Sequence, residues 1–599
     1  MKPSSLPTRS PVEAWLIRTF ERPGLVRVLP LMAVALCVPS VFLGFHLDDC
    51  VARYIYSDLP GAHRLLSVYR GGFGLANGIP SDNHWQIEAG YAPWWIYDQL
   101  RLALFRPIST FSLMLDMRLW PSSAFLMHAH SLAWLALFVL MTGRLYRAVL
   151  APAAAGLAAT LLAFDHTHGF EVGYIANRYA LLTATFGVMA LDQHVRSRTQ
   201  EGSLGRWLGP LFYVLALLCG ESALSAAAYV FAYALLCETG PWLRRALSCW
   251  PYAVLTVLWR AGYNLAGYGA TGSGPYVDPA REPLHFFTLL LERGPILLLG
   301  QFFGPPAEVY TVASPHAARL MLVAALVLGA LLVPIFWPLL RRDRCARFFA
   351  VGALCSLVPA AGTYPHNRSL IFASIGALAL LAQLWQLYAV ELYGAALSVG
   401  QLFSSKLGGV VLGGHLLLSP LLLPFASCGV VLLSPIQHAG DDVGDEVAGR
   451  DVVFVTAPDY LAVKVVQIVK RVEHKPLPRR WRALSFGPQR VGVMRTDDRT
   501  LELDYEGGIL GSPFMELYRD RRLPMQVGER VELVGLSIEV LALTPDGRAQ
   551  RARFRFDRPL EADSFRHYYY DGSRFVPWTP PAIGAHALLP GAQFKWGFD

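Results

Sequence analysis

Long apolar stretches broken by short basic turns make up about three quarters of the chain, and only the last part departs from that rhythm. A membrane-crossing helix needs about 20 mostly apolar residues. Eleven stretches fit, at 24–45, 124–143, 148–165, 178–195, 207–221, 224–240, 248–263, 318–340, 346–362, 369–393 and 408–434. A further apolar run, 284–303 (LHFFTLLLERGPILLLGQFF), is interrupted by Glu292-Arg293-Gly294-Pro295. It is expected to be re-entrant or to lie on the surface, where protein or water satisfies its backbone.

Basic residues supply the orientation, because arginine and lysine collect in short cytoplasmic loops. With the N-terminal segment inside (Lys2, Arg9, Arg18, Arg22), every other basic turn falls inside as well. These turns are Arg144 and Arg147; Arg196, Arg198 and Arg206; Arg244 and Arg245; Arg341, Arg342, Arg344 and Arg347; and Lys406. The alternation closes only if 284–303 does not cross. The loop 46–123 and everything after 434 then face the non-cytoplasmic side.

From 441 to 599 the pattern changes. Short alternating or β-branched runs (DVVFVTA, RVGVMRT, LELDY, RVELVGLSIEVLAL, RARFRFDR) are separated by turns such as TPDGR and YEGG, which predicts a β-rich soluble domain. One amphipathic helix, YLAVKVVQIVKRV, is expected near its start. KPLPRRWR at 475–482 is either a solvated turn or a contact with lipid phosphates. The predicted architecture is thus an all-α polytopic membrane domain of about eleven spans (24–440) behind a cytoplasmic segment (1–23), followed by a small β-rich domain (441–599).

Composition agrees. Of 599 residues, 54% are hydrophobic and only 16% charged, against roughly 25% charged in an ordinary soluble domain. The net charge of +8 does not indicate nucleic acid, since 441–599 holds 23 basic and 23 acidic residues and the excess belongs to the topology-setting turns. All eight cysteines precede residue 441 without metal or disulfide spacing, so inert thiols are expected. The first apolar run lacks a small-residue cleavage site and is read as a retained helix.

Polar groups in or next to the membrane stand out, because an ionisable group inside it is costly and usually faces a polar cavity. On the outer side they recur loop after loop. Asp48 and Asp49 (FHLDDC) close the first span, and Arg106 lies in FRPIS. DHTHGFEVGYIANR carries Asp165, His166, His168, Glu171 and Arg178. Glu221 lies in GES, Arg260 ends the seventh span, and YPHNR carries His366 and Arg368. Each has a plain reading as a helix cap, a lipid-facing arginine or an interfacial loop residue. Together they suit an anionic, membrane-bound substrate. The aromatic stretch NHWQIEAGYAPWWIYDQL (84–100) is expected as an interfacial helix, the alternative being a wall on which a sugar stacks. GYNLAGYGATGSGPY (262–276) reads as a flexible outer loop.

The order of these segments resembles the GT-C class of polytopic glycosyltransferases, especially bacterial relatives of the transmembrane O-mannosyltransferases that carry tetratricopeptide repeats. The resemblance runs from about 40 to 390. It rests on LDD after the first span, FRPISTFSLMLDMRLW, DHTHGFEVGYIANRYALL, GESAL and NRSLIFASIG. Gly220 stands where the family usually has lysine, and no 34-residue repeat follows.

The resemblance implies transfer of a sugar from a polyprenyl-phosphate donor to a protein, glycan or lipid acceptor on the non-cytoplasmic face of a bacterial inner membrane, the C-terminal domain being periplasmic. Asp48 or Asp49 is then the general base, the other orienting it or binding a divalent cation, Mg or Mn. Arg106, Arg178 and Arg368, with His168 and His366, are the candidates for the lipid phosphate. A transporter or flippase for a lipid-linked glycan is the alternative. It predicts internal repeats and broken helices at mid-membrane, whereas the polar residues here gather at one surface.

Overall fold

The computed structural model describes residues 9–58, 73–199, 204–302, 304–512 and 514–594. Lys2 of the basic N-terminal segment and the 59–72 part of the first outer loop lie outside them. The chain divides into two compact units.

One unit, comprising the chain up to Gly44, Phe105–Ala266 and Pro283–Val430, is helical. Among the described residues, five helices are long and apolar enough to cross a membrane: Leu25–Phe42, Ala124–Val149, Pro315–Arg342, Ile371–Glu391 and Val399–Ser427. This is a multi-pass membrane protein. The other expected spans are helical too, over Pro152–Ala163, Tyr179–Thr199, Gly205–Leu217, Leu224–Leu236, Trp242–Leu265 and Arg344–Ala360. They fall short in length or in mean hydropathy, so five of the eleven expected spans meet both measures. The 284–303 run folds as one unbroken helix, Pro283–Phe302. Its buried Arg293 donates to the carbonyls of Ala361 and Thr363, both at 2.9 Å.

Burial separates the helices by role. In the most apolar stretch of the Ile371–Glu391 helix 83% of the residues are buried, and in that of Pro315–Arg342 only 17%; the first forms the centre of the unit and the second presents its side chains outward. Lipid gives no hydrophobic drive between helices, so close approach depends on small residues. Gly376 on the central helix illustrates this, since a Cβ there would fall 2.3 Å from the Phe349 carbonyl oxygen. Alongside, the Tyr229 hydroxyl donates to the Phe372 carbonyl at 2.8 Å.

The second unit joins Phe45–Leu104, Gly267–Glu282 and Val431–Asp599. The part of the first outer loop up to Leu104 therefore belongs to the same unit as the C-terminal stretch, and the part from Phe105 to the helical one. Strand Asp451–Phe454 leads through helix Tyr460–Val472 to strand Arg480–Ala483, a parallel crossover. Phe565–Tyr570 adds parallel to Asp451–Phe454, and Phe575–Pro577 closes this four-stranded sheet. A six-stranded antiparallel sheet runs in the order His586–Leu589, Val491–Arg495, Thr500–Tyr505, Ala549–Phe556, Leu536–Leu543, Arg530–Leu533. A small sheet pairs Gly74–Asn77, Arg101–Ala103 and Gly269–Thr271; the 262–276 segment, expected as a flexible loop, supplies that third strand.

Within the aromatic stretch of the first loop, Trp85 is exposed on helix Pro80–Glu88, whereas the two adjacent tryptophans depart from the sequence reading. Trp94 and Trp95 are 3% and 1% exposed and pack edge-on against Phe554 and Phe486. Trp94 Nε1 donates to the Leu484 carbonyl at 3.1 Å. These rings are core, neither an interfacial belt nor a sugar wall. The basic segment at 475–482 is likewise tied inward: Arg479 pairs with Asp451 at 2.6 Å and Arg482 with Glu88 at 2.6 Å.

Candidate functional site

The acid pair opens a short helix, Asp48–Arg53, in the second unit. Leu47, immediately before it, has φ of +39°, a region that a branched side chain adopts only when its surroundings impose it. Gln437 imposes it here. The Leu47 amide donates to Gln437 Oε1 at 3.2 Å, and Gln437 Nε2 donates to the Phe45 carbonyl at 3.1 Å. The Asp49 amide donates to the His46 carbonyl at 2.8 Å, and the His46 amide donates to Asp49 Oδ2 at 3.2 Å. Asp49 is fully buried, whereas Asp48 is exposed. Successive helical side chains diverge by about 100°, so one carboxylate closes the turn while the other faces out.

Helix Tyr460–Val472 packs on this turn, with Ile468 and Val472 against Cys50. Burial pushes the Cys50 thiol up to about 12, which makes it unreactive. Asp459 caps that helix by accepting from the Leu461 amide at 2.7 Å, and burial raises its carboxyl to about 6.

A second polar group lies in the membrane unit, at the 165–178 and 361–370 segments. Asp165 accepts from the Thr167 amide at 3.1 Å and sits 3.7 Å from His168 Nε2. His166 Nδ1 meets Ser419 Oγ at 3.1 Å. Gly173 allows the segment to pass the chain at Ser427, where a Cβ would fall 1.7 Å from the carbonyl oxygen. Glu171 is fully buried, and among the described residues neither of its carboxylate oxygens has a hydrogen-bond partner. Burial holds its carboxyl well above the usual range, partly countered by Arg368. Arg368 lies 5.9 Å over the Phe170 ring. Burial and then the Arg368 charge depress the His366 imidazole well below its usual value, and His366 Nδ1 meets Ser369 Oγ at 2.6 Å. His168, His366 and Arg368 therefore belong to one cluster with Asp165 and Glu171. Glu308 joins it, accepting from the Asn367 amide at 2.9 Å; nothing in the local sequence around Glu308 signals this.

The other two arginines are placed differently. Arg106 reaches Glu221 at 2.8 Å and stacks 3.8 Å over Tyr179, and the Tyr263 hydroxyl donates to Glu221 at 3.3 Å. Arg260 lies 5.5 Å over Tyr263. Arg178 is fully buried and donates to Asp116, to Ser131 Oγ at 2.9 Å and to the Met127 carbonyl at 2.6 Å. That geometry ties three segments of the unit together and turns its donors toward protein acceptors.

Asp49 accepts from the His46 amide, and among the described residues no group of three or more His, Cys, Asp or Glu is arranged to hold an ion. Mg or Mn would need about six oxygen ligands, mostly from substrate and water.

No protein-family model matches the chain, and no curated protein matches it. Solved structures do match, at low similarity. The Archaeoglobus fulgidus oligosaccharyltransferase tethered with an acceptor peptide containing the NVT sequon superposes with a TM-score of 0.37 at 12% identity, over 78% of this chain and 64% of that one. Archaeal oligosaccharyltransferase AglB from Archaeoglobus fulgidus, in complex with an inhibitory peptide and a dolichol-phosphate, gives 0.37 at 12%, over 80% and 65%. ArnT from Cupriavidus metallidurans bound to undecaprenyl phosphate gives 0.35 at 14%, over 76% and 85%. The chain spans somewhat less than two thirds of the archaeal proteins' length. Scores this low do not establish a common fold.

Proposed function

We propose that the chain is a GT-C-type membrane glycosyltransferase that moves a sugar from a polyprenyl-phosphate donor to a hydroxyl-bearing acceptor on the non-cytoplasmic face. The observation that carries the reading is the acid pair, an outward carboxylate on a strained turn fixed by its buried neighbour and by Gln437. In this reading Asp48 is the base. It takes the acceptor's proton as the acceptor oxygen attacks the anomeric carbon, and the bond to phosphate breaks with its electron pair on the phosphate oxygen. Asp49 holds the turn. Arg368, with His168 and His366 nearby, and Arg106 are the cations proposed for the phosphate, where guanidinium geometry stabilises developing charge. Arg178 leaves that set and serves as a clamp.

Mannose is the sugar the sequence resemblance suggests, and a bacterial inner membrane with a periplasmic C-terminal domain is the proposed setting. A divalent cation, if used, would meet Asp48 and the donor phosphate. One observation favours the flippase alternative: the buried Asp165, His168 and Glu171 are of the kind that line polar paths in membranes. Comparing the glycoproteins and glycolipids of cells with and without the gene, and with Asp48→Asn, tests the proposal. A glycan missing from both altered strains supports transfer; a glycan lost without the gene but kept with Asp48→Asn supports transport.

A further inference from the structure

We propose that Arg479, Arg480 and Arg558, gathered on Asp451 in the second unit, form a binding site for a phosphate group, carried by a lipid headgroup or by a soluble ligand. Such a site does not depend on glycosyl transfer. Asp451 opens strand Asp451–Phe454, and Arg480 opens the parallel strand Arg480–Ala483 directly opposite it. Arg558 comes from the connection between strands Ala549–Phe556 and Phe565–Tyr570. Arg479 donates through Nε to Asp451 Oδ1 at 2.8 Å and through Nη2 to Oδ2 at 2.6 Å. Arg558 Nη2 reaches the same Oδ2 at 2.6 Å and Arg480 Nη1 reaches it at 3.3 Å. The three lie 28, 29 and 107 residues from Asp451 in the chain, so the fold of the unit, not a local turn, brings them together.

Stapling two strands needs one ion pair; here three cations share one carboxylate, which cannot neutralise them. Arg558 Nε also meets Asp557 Oδ1 at 3.1 Å. Arg450 and Arg566 both donate to the uncharged backbone carbonyl of Asp563, at 2.9 and 3.3 Å. Even with the side chains of Asp557 and Asp563 counted, this edge of the sheet has more guanidiniums than carboxylates. The excess is local, since 441–599 as a whole is balanced at 23 of each sign, and charge of one sign in one place attracts a counter-ion. The cluster is also open: the Asp451 side chain is 4% exposed and that of Arg479 45%. The three guanidiniums make six hydrogen bonds to acceptors among the described residues, fewer than half of the N–H donors they carry. The remaining donors stand in forks that match phosphate oxygens in pairs. Asp451 holds those forks from beneath, which lowers the ordering cost of binding. The family resemblance ends near residue 390 and assigns these arginines nothing.

The test treats the full-length protein with the arginine reagent phenylglyoxal at constant ionic strength, with modification of Arg479 and of the exposed Arg574 read separately by mass spectrometry. For a soluble ligand, inorganic phosphate added to protein in detergent is expected to slow modification of Arg479 along a saturation curve. The rate should reach about a fifth of its starting value at roughly four times the Kd, with Arg574 unchanged. For a lipid headgroup, the same slowing is expected in nanodiscs of phosphatidylglycerol and not in those of phosphatidylcholine. Equal Arg479 rates under all these conditions, or equal slowing at Arg574, overturn the site. Arg558→Gln and Arg480→Gln each leave Asp451 paired with Arg479 and are expected to lose most of the slowing. Full slowing kept in both variants overturns the shared three-arginine arrangement.

Discussion

Two residues show how a site is set by groups that do no chemistry. Gln437 holds both sides of the strained turn at Leu47. Gln437→Ala leaves a part-buried amide and carbonyl unpaired, which is expected to cost about 1–3 kcal/mol. Glycosyl transfer should fall with it, as measured by thermal unfolding and activity on the same sample. Arg178 is the opposite lesson. Its motif reads as an outer-loop cation, yet its partners Asp116 and Ser131 lie 62 and 47 residues earlier in the chain, and no local pattern reveals them. Removing one member of a buried pair typically costs about 3–5 kcal/mol. Arg178→Met is therefore expected to lose folded protein in detergent without a selective rise in donor KM. The separate environments of Asp48 and Asp49, by contrast, follow from the helical step between adjacent side chains.

Periodicity made the elements readable, and so did turn chemistry. DVVFVTA, RVGVMRT, LELDY and RARFRFDR contain strands, and YLAVKVVQIVKRV is a helix. The pairing order of those strands and the fate of Trp94 and Trp95 were not readable, because an aromatic pair after a span has the same composition at an interface as in a core. A carbonyl 390 residues away decided it. The Tyr460–Val472 helix carries a pH signature through its cap, Asp459, whose carboxyl rises to about 6 on folding. Unfolded aspartate titrates near 3.9, so between about pH 4 and 6 the folded state keeps a proton that the unfolded state has lost. Stability from this group therefore falls as pH rises through that window, by about 3 kcal/mol in all. Asp459→Asn keeps a capping side chain. It should raise stability at pH 7 and leave it unchanged near pH 4, a difference that denaturant titration at the two values measures.

For the whole molecule, the sequence marks a membrane part and a soluble part, but the division does not fall at residue 441. Loop segments 45–104 and 267–282 fold with the C-terminal stretch, since the loop's tryptophans and Glu88 find their partners there. The acid pair consequently belongs to the same unit as the β-rich sheets, and the histidine–arginine cluster to the helical one. In the proposed glycosyl transfer, Asp48 accepts the acceptor's proton. The most direct test is the single-turnover rate of sugar transfer from polyprenyl-phosphate mannose in proteoliposomes carrying wild type or Asp48→Asn, with a detergent extract of membranes as acceptor. Loss of general-base catalysis predicts a fall of about 10²–10⁴-fold with the protein still folded; a rate in Asp48→Asn equal to that of wild type would contradict the account.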